Sequence, residues 1–435
     1  MEFEYSKKTK MYMEQLTDFM GKFVYPNEAK FREQLDSQAD RWTVPPIMEE
    51  LKGKARERGL WNLFLPESER GAGLTNLEYA PLCEIMGRSP IAAEVFNCSA
   101  PDTGNMEVFE RYASPELKKQ YLEPLLEGKI RSAFAMTEPK VASSDATNIE
   151  SSIVRDGDSY VINGHKWWTS GIGDKRCKVL IFMGKTDPGN PDRYKQQSMV
   201  VVPRETPGIN VLRNVGLGYE PIGGGREGYV RYEDVRVPVD HMLGPRGGAF
   251  VVAQTRLGGG RIHHAMRTVG LLRRIFDMLC ERAVSRSTQG EVLASKQLVQ
   301  EMVADSWMEI ESFRLLTMQT AWKIDQYNDY KRVRADISAV KAMMQKVLHD
   351  VSARALQIHG SLGVTHEMPF VQYLVESFVL GLADGPTEVH KVTLARLLLK
   401  EYAPAPDLFP SEHFLRLKAE AEAKVAERLQ GIPRP

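Results

Sequence analysis

FAMTEPKVASSD (residues 134–145), followed by INGHKWWTSG (residues 162–171), decides how this chain is read. The first run leaves a helical region and strings Met136, Thr137, a proline and a Ser143-Ser144 pair along extended backbone. Hydroxyls and free backbone N–H groups in such a loop can hydrogen-bond the polar edge of a ring or a phosphate. The second run opens on Asn163-Gly164, a hairpin signal, and sets Trp167 and Trp168 side by side before Thr169 and Ser170. Neighbours on a strand face opposite ways. One tryptophan is therefore expected to enter a core while the other presents a flat ring to a flat ligand. Each run alone also fits a plainer reading: a helix start at T-E-P, and two tryptophans of an ordinary sheet core.

In this order and at this spacing the two runs resemble the flavin-binding β-domain of the acyl-CoA dehydrogenase family, and the resemblance extends from about Tyr5 to Lys400. It implies FAD as cofactor, with Phe134, Met136, Thr137, Trp168 and Ser170 beside the flavin. Ser144 is implied to lie where cofactor and CoA meet the loop. The family's usual G-A-G-S-D is here K-V-A-S-S-D, one residue longer, as in the subgroup similar to family members 10 and 11.

The rest of the chain is compatible with that resemblance. At 435 residues it can hold two or three domains or one large multilayer unit. Apolar and charged contents of 43% and 26% are those of a soluble globular protein. Its 57 basic and 57 acidic residues cancel and no polybasic stretch occurs, so nucleic acid is not an expected partner. Four scattered cysteines with no C-x-x-C pair point to reduced thiols rather than a disulfide framework or a zinc site. No run of about 18 apolar residues is available to span a membrane. The first residues lack the apolar segment of a secretory signal and the last three are no peroxisomal tripeptide, so the expected location is cytoplasmic.

The texture along the chain predicts an α+β fold, mostly α. Residues 1–129 read as a helical domain with Leu16, Phe19 and Phe23 at helical spacing and helices over 45–59, 75–88, 91–111 and 115–126, punctuated at Pro45-Pro46, Pro66 and Pro90. Residues 130–243 read as an antiparallel β-domain, with strands near 178–185, 197–203 and 227–237 and hairpin signals at Asp156-Gly157 and Asn163-Gly164. Residues 244–402 read as long helices over 246–286, 294–327, 332–359, 366–381 and 387–401. The resemblance implies the acyl-CoA dehydrogenase fold, with these helices forming a C-terminal four-helix bundle that carries the catalytic base and the oligomer interface. Residues 403–435 read as a linker and a last amphipathic helix with Phe414, Leu417, Ala421 and Val425 on one stripe, an oligomer contact or docking strap, or a solvated helix.

LADGPTEVHK (residues 382–391) carries the expected chemistry. Asp-Gly-Pro is first of all a turn and helix-start signal. The resemblance places the catalytic base at Asp384, where the family usually has the longer glutamate. A carboxylate that takes an α-proton from a thioester needs a site that raises its pKa, and burial does so. The resemblance also sets Pro386 and Glu388 against FAD, Gly385 and Arg396 near the substrate, and Arg261 near CoA. Arg261 follows Gly258-Gly259-Gly260, which is costly within a helix and signals a close approach to another helix or to CoA. His263 and His264 are adjacent rather than four apart, so no metal site is expected.

Further FAD contacts implied are Arg286, Thr288 and Gln297, then Gln357, Gly360 and Ser361 in QIHGSLG, a turn that in the family crosses to a partner subunit. A homo-oligomer follows, dimer or tetramer. The motifs of metalloproteases, serine hydrolases, P-loop enzymes and dinucleotide-binding folds are missing. The activity implied is α,β-dehydrogenation of an acyl-CoA to trans-2-enoyl-CoA, in fatty acid β-oxidation, with an electron-transfer flavoprotein as acceptor. The alternatives are flavin-assisted, non-oxidative conversion of a 4-hydroxy- or 4-phospho-acyl-CoA on the same fold, and a non-catalytic binding scaffold.

Overall fold

The structure, a computed structural model, describes residues 4–40, 42–65, 70–405 and 408–430. Pro66, residues 406–407 of the expected linker and residues 431–435 of the tail lie outside these. The first helices are α1 (Lys7–Phe19), α2 (Glu28–Asp36), α3 (Pro46–Glu57) and α4 (Asn76–Gly87). Ser6 caps α1 by accepting the Thr9 N–H, and Leu16 and Phe19 are fully buried as their spacing predicts. Thr75 and Glu78 cap α4 reciprocally.

The single helix expected over 91–111 is two helices, α5 (Ala92–Val95) and α6 (Asp102–Tyr112). Asn97 takes a left-handed φ of 54° and Pro101 cannot continue an α-turn, so the chain redirects between them. Two short segments, α7 (Pro115–Leu117) and α8 (Glu123–Leu126), lead into the sheet.

The sheet contains β1 (Arg131–Ala135), β2 (Ser152–Asp156), β3 (Ser159–Ser170), β4 (Cys177–Lys185), β5 (Gln197–Pro203), β6 (Ile209–Val215) and β7 (Glu227–Pro238). Its order is β1-β4-β2-β3-β7-β6, with β5 also on β4. The expected antiparallel pairing holds for β2–β3, β3–β7, β4–β5 and β6–β7. β1 and β2, however, run parallel to β4. The long excursion after β1 is the kind of connection that parallel pairing requires. Val179, Ile181 and Met183 of β4 face the helical core, while Leu180 and Phe182 face a second core with Val230 and Tyr232 of β7. Strand alternation thus fixes one face of the sheet to the helices.

Asn163-Gly164 is not a hairpin turn. It lies inside β3 at a register shift, and the β2–β3 turn is at Asp156-Gly157. Gly164 is required by close approach, since a Cβ there would sit 2.1 Å from the Ser151 Oγ. The Asn163 amide instead bridges to Asp234, accepting its N–H at 2.9 Å and donating to its carboxylate at 3.1 Å.

Beyond the sheet, α9 (Ala249–Ser285) is followed by a two-stranded ribbon, β8 (Ser287–Thr288) with β9 (Glu291–Val292). Then come α10 (Gln297–Tyr327), α11 (Arg334–His359), α12 (Phe370–Leu382) and α13 (Thr387–Leu399). α11 packs against α9, α10, α12 and α13 at the centre of the bundle. α9 and α4 cross at glycines: a Cβ on Gly270 would lie 1.9 Å from the Glu84 carbonyl, and one on Gly87 1.9 Å from the Arg267 carbonyl. The last helix, α14 (Phe414–Gln430), carries the expected stripe with Phe414, Leu417, Ala421 and Val425 exposed.

Candidate active site

Lys166 organises the loop after β1. Its ammonium is fully buried and donates to the Met136 carbonyl at 2.9 Å and to Glu138 Oε1 at 2.7 Å. Glu138 in turn accepts the N–H groups of Glu150 and Ser151, at 2.7 and 3.0 Å. The Trp167 N–H donates to the Thr137 carbonyl at 3.0 Å. Burial pulls the Lys166 ammonium down to about 8, against the pull of Glu138, so the pair is ionised at neutral pH. These contacts hold Met136 and Thr137 at fixed height above the sheet.

Neither tryptophan enters a core. β3 bulges between Lys166 and Thr169, where Trp168 has a φ of 52°, and the buried positions are Lys166 and Thr169. The bulge breaks the two-residue alternation and turns both indoles, inclined at 71° to each other, to the same cavity.

That cavity, about 1880 Å³, lies between the sheet and the C-terminal helices. It exceeds the roughly 300–1,000 Å³ typical of one small ligand and has room for a cofactor and a substrate together. Phe134, Met136, Thr137, Ser144, Trp168 and Ser170 line it from the sheet side. Arg261, Asp384, Gly385, Pro386, Glu388 and Arg396 line it from the helices. Arg286, Thr288, Gln297, Gln357, Gly360 and Ser361 do not line this cavity. They are exposed at the β8–β9 end of the bundle, where Arg282 reaches the His359 carbonyl at 3.5 Å.

Asp384 follows α12 with a φ of 56°, and Gly385 with a φ of 104° completes the turn into α13. Thr387 does not cap that helix: its hydroxyl donates to Gln345 Oε1 at 2.6 Å. The N-terminus of α13 is left without a side-chain cap, beside the cavity-lining Pro386 and Glu388. Arg261 Nε donates to the Asp384 carbonyl at 2.9 Å, and His390 Nε2 lies 3.3 Å from the same oxygen. The carboxylate faces Arg256 at 3.9 Å and His264 at 3.8 Å.

The raised pKa expected at Asp384 is not found. Burial does push its carboxyl up, but His264, Arg256, Arg261 and Lys341 together hold it below the usual range. Burial and the Arg267 charge bring His264 down to about 4, so it is neutral at pH 7 and the arginines and Lys341 carry the effect there. Sequence reading missed Arg256, Lys341 and Glu107 because they come from three separate helices. Arg256 is fixed by Asn105 Oδ1 at 2.9 Å and lies 3.9 Å over the Phe134 ring. Glu107 is buried beside it and pushed up to about 8 by burial, against Arg111 and Arg256.

The triple glycine of α9 meets three different partners. A Cβ on Gly258 would touch the Tyr330 ring at 3.0 Å, one on Gly259 the Glu107 carboxylate at 2.7 Å, and one on Gly260 Asp384 Oδ2 at 3.3 Å. Among the described residues no His, Cys, Asp and Glu cluster could hold a metal ion, and no helix is long and apolar enough to cross a membrane. Two indole faces, the hydroxyls of Thr137, Ser144 and Ser170, and an uncapped helix N-terminus fit a flat polar ring with a phosphate-bearing tail.

Residues 6–129 match the acyl-CoA dehydrogenase N-terminal domain, residues 133–235 the middle domain and residues 247–399 the C-terminal domain. The chain is 49% identical to mouse acyl-CoA dehydrogenase family member 10 over 89% of its own length and 36% of that protein's. It is 47% identical to the probable acyl-CoA dehydrogenase FadE2 of Mycobacterium tuberculosis, covering 91% of this chain and 96% of that one. The chain thus spans about a third of family member 10, but nearly all of FadE2. The solved structure of an acyl-CoA dehydrogenase candidate from Mycobacterium abscessus superposes with a TM-score of 0.87 at 45% identity, covering 92% of this chain and 100% of that one.

Proposed function

Because this chain belongs to the acyl-CoA dehydrogenase family, we propose that it converts an acyl-CoA thioester to the trans-2-enoyl-CoA, with Asp384 as base and FAD as cofactor. When bound, FAD supplies the acceptor for the hydride that leaves the β-carbon, and an electron-transfer flavoprotein takes the electrons on. The observation that carries this reading is the placing of the Asp384 carboxylate in one cavity with Trp168, Thr137 and Ser170.

Asp384 takes the α-proton of the thioester. Its ionised state at neutral pH is secured by Arg256, Arg261 and Lys341. Arg261 fixes the backbone of the base, and in this reading it also borders CoA, with Ser144 across the loop. Gly385 and Arg396 border the acyl portion, and Pro386 and Glu388 present the α13 N-terminus to the cofactor. Arg286, Thr288, Gln297, Gln357, Gly360 and Ser361, exposed at the bundle's far end, are assigned to the cofactor of a second subunit. The functional unit is then a homo-oligomer. Four free cysteines accord with a reducing, cytoplasmic setting.

A second reading is favoured by the cations themselves. Arg256, Arg261 and Lys341 converge on the reacting carboxylate, more positive charge than one carboxylate requires. They suit a substrate with a 4-hydroxy or 4-phospho group beside its reacting carbons, turned over with no net oxidation. Anaerobic mixing with saturated and 4-oxygenated acyl-CoAs, followed by visible absorbance and product mass, separates the two. Lasting bleaching and loss of two hydrogens supports dehydrogenation. Turnover of a 4-oxygenated acyl-CoA without an electron acceptor supports the second reading, and no turnover of either overturns both.

A further inference from the structure

Ser170 ends β3 and stands directly across the ladder from Glu227, the first residue of β7. The hydroxyl and carboxyl are 2.5 Å apart, and both residues line the large cavity. The groups around Glu227 are acidic. Glu220, in the β6–β7 loop, accepts the Leu217 N–H at 2.7 Å. Glu376, on α12, accepts the Tyr219 hydroxyl at 2.9 Å and also lines the cavity. The charged groups that act on Glu227 are these two carboxylates, Glu220 and Glu376.

A hydroxyl has one proton to donate and two lone pairs that accept. If Glu227 is ionised, the Ser170 proton must point at it, and Ser170 offers the cavity only lone pairs. If Glu227 is protonated, it can donate to Ser170, whose own proton is then free to turn into the cavity. Building on the reading of Ser170 as a flavin contact, we propose that Glu227 is a positioning residue whose proton sets the direction of the Ser170 hydroxyl and so makes the flavin's environment pH-dependent. No atom moves further than one rotor and one proton.

The surroundings of Glu227 shift it toward its protonated form. Burial raises the Glu227 carboxyl, and Glu220 and Glu376 add to that effect against the hydrogen bond from Ser170. Burial likewise raises Glu376. Loss of the proton on raising the pH would therefore turn Ser170 away from the cofactor.

The test is the visible spectrum and midpoint potential of the FAD-bound full chain, titrated upward in pH from the ordinary glutamate value of about 4.3. We expect a one-proton transition in the wild type that is absent from Glu227→Gln, whose amide mimics the protonated acid and holds the low-pH spectrum throughout. Ser170→Ala should lose the transition as well. Glu376→Gln, which removes a neighbouring negative charge, should move it to lower pH, an effect that a merely structural role would not produce. FAD-bound Glu227→Gln with the wild-type transition intact overturns this inference alone. A wild-type chain that takes up no FAD overturns the proposed function and this inference with it.

Discussion

Arg261 grips Asp384 by its backbone as well as acting on its charge: Nε donates to the carbonyl oxygen at 2.9 Å, while the carboxylate points on to Arg256, 3.9 Å away. Arg261 holds the turn and shares with Arg256 the tuning of the acid. The left-handed φ of 56° at Asp384 is one that asparagine also adopts readily. Asp384→Asn should therefore fold and retain flavin while losing the proton acceptor. Turnover should fall by about 10²-fold to 10⁴-fold or more, the range for a positioned acid–base group. The check is steady-state turnover alongside the flavin spectrum, and near-wild-type activity would remove Asp384 as base.

The same surroundings give a pH prediction with a definite sign. Burial pushes the Asp384 carboxyl up, but the neighbouring cations hold it below its unfolded value, so its stabilising contribution is present above the unfolded pKa and is lost as pH falls through the lower folded one. In activity, the acid limb of kcat/KM from this group should lie below the ordinary aspartate value of about 3.9. Arg256→Gln removes the nearest guanidinium and should move that limb upward, whereas Arg256→Lys should shift it less. An unchanged limb in Arg256→Gln would show that the limb belongs to another group.

Much of this site could be read from local sequence. Turn chemistry at Asp384-Gly385-Pro386 and the two runs ending at Asp145 and Gly171 identify residues that line one cavity, because local rules govern them. What could not be read was cross-chain placement. Arg256, Glu107 and Lys341 come together by helix packing, so no spacing signals them. The tryptophans failed for a different reason: alternation assumes an unbroken ladder, and the bulge between Lys166 and Thr169 inverts the faces beyond it. Asn163-Gly164 misled similarly, since the glycine answers to Ser151, just before β2, rather than to a turn.

Lys166 and Glu138 were also invisible in the sequence, yet they should dominate the stability of the cofactor loop. Their side chains are 0% and 4% exposed, and Glu138 holds two backbone N–H groups as well. Lys166→Met leaves that carboxylate buried without its cation, a change that costs about 3–5 kcal/mol. Denaturant unfolding should show a loss of this size, with weaker FAD retention. Adding Glu138→Gln to Lys166→Met should recover part of it, because the amide oxygen still accepts a backbone N–H without carrying charge. A double variant less stable than Lys166→Met would exclude the buried charge as the cause.

Glycines of α9 allow stability and turnover to be separated. At Gly270 a Cβ would stand 1.9 Å from the Glu84 carbonyl, and neither helix can yield that far without breaking the α4–α9 contact. Gly270→Ala should lower the melting temperature sharply. At Gly260 a Cβ meets only Asp384 Oδ2, at 3.3 Å, and that oxygen can give by a few tenths of an ångström. Alanine also favours the helix by about 1 kcal/mol over glycine, so Gly260→Ala should melt at or above the wild-type temperature. It should nevertheless displace the base, and kcat should drop roughly tenfold, since small misplacements of reacting groups are costly. Calorimetry and turnover on the same preparations decide the matter: a Gly260→Ala enzyme with undiminished kcat would mean that the Asp384 carboxylate is not held where the reaction needs it.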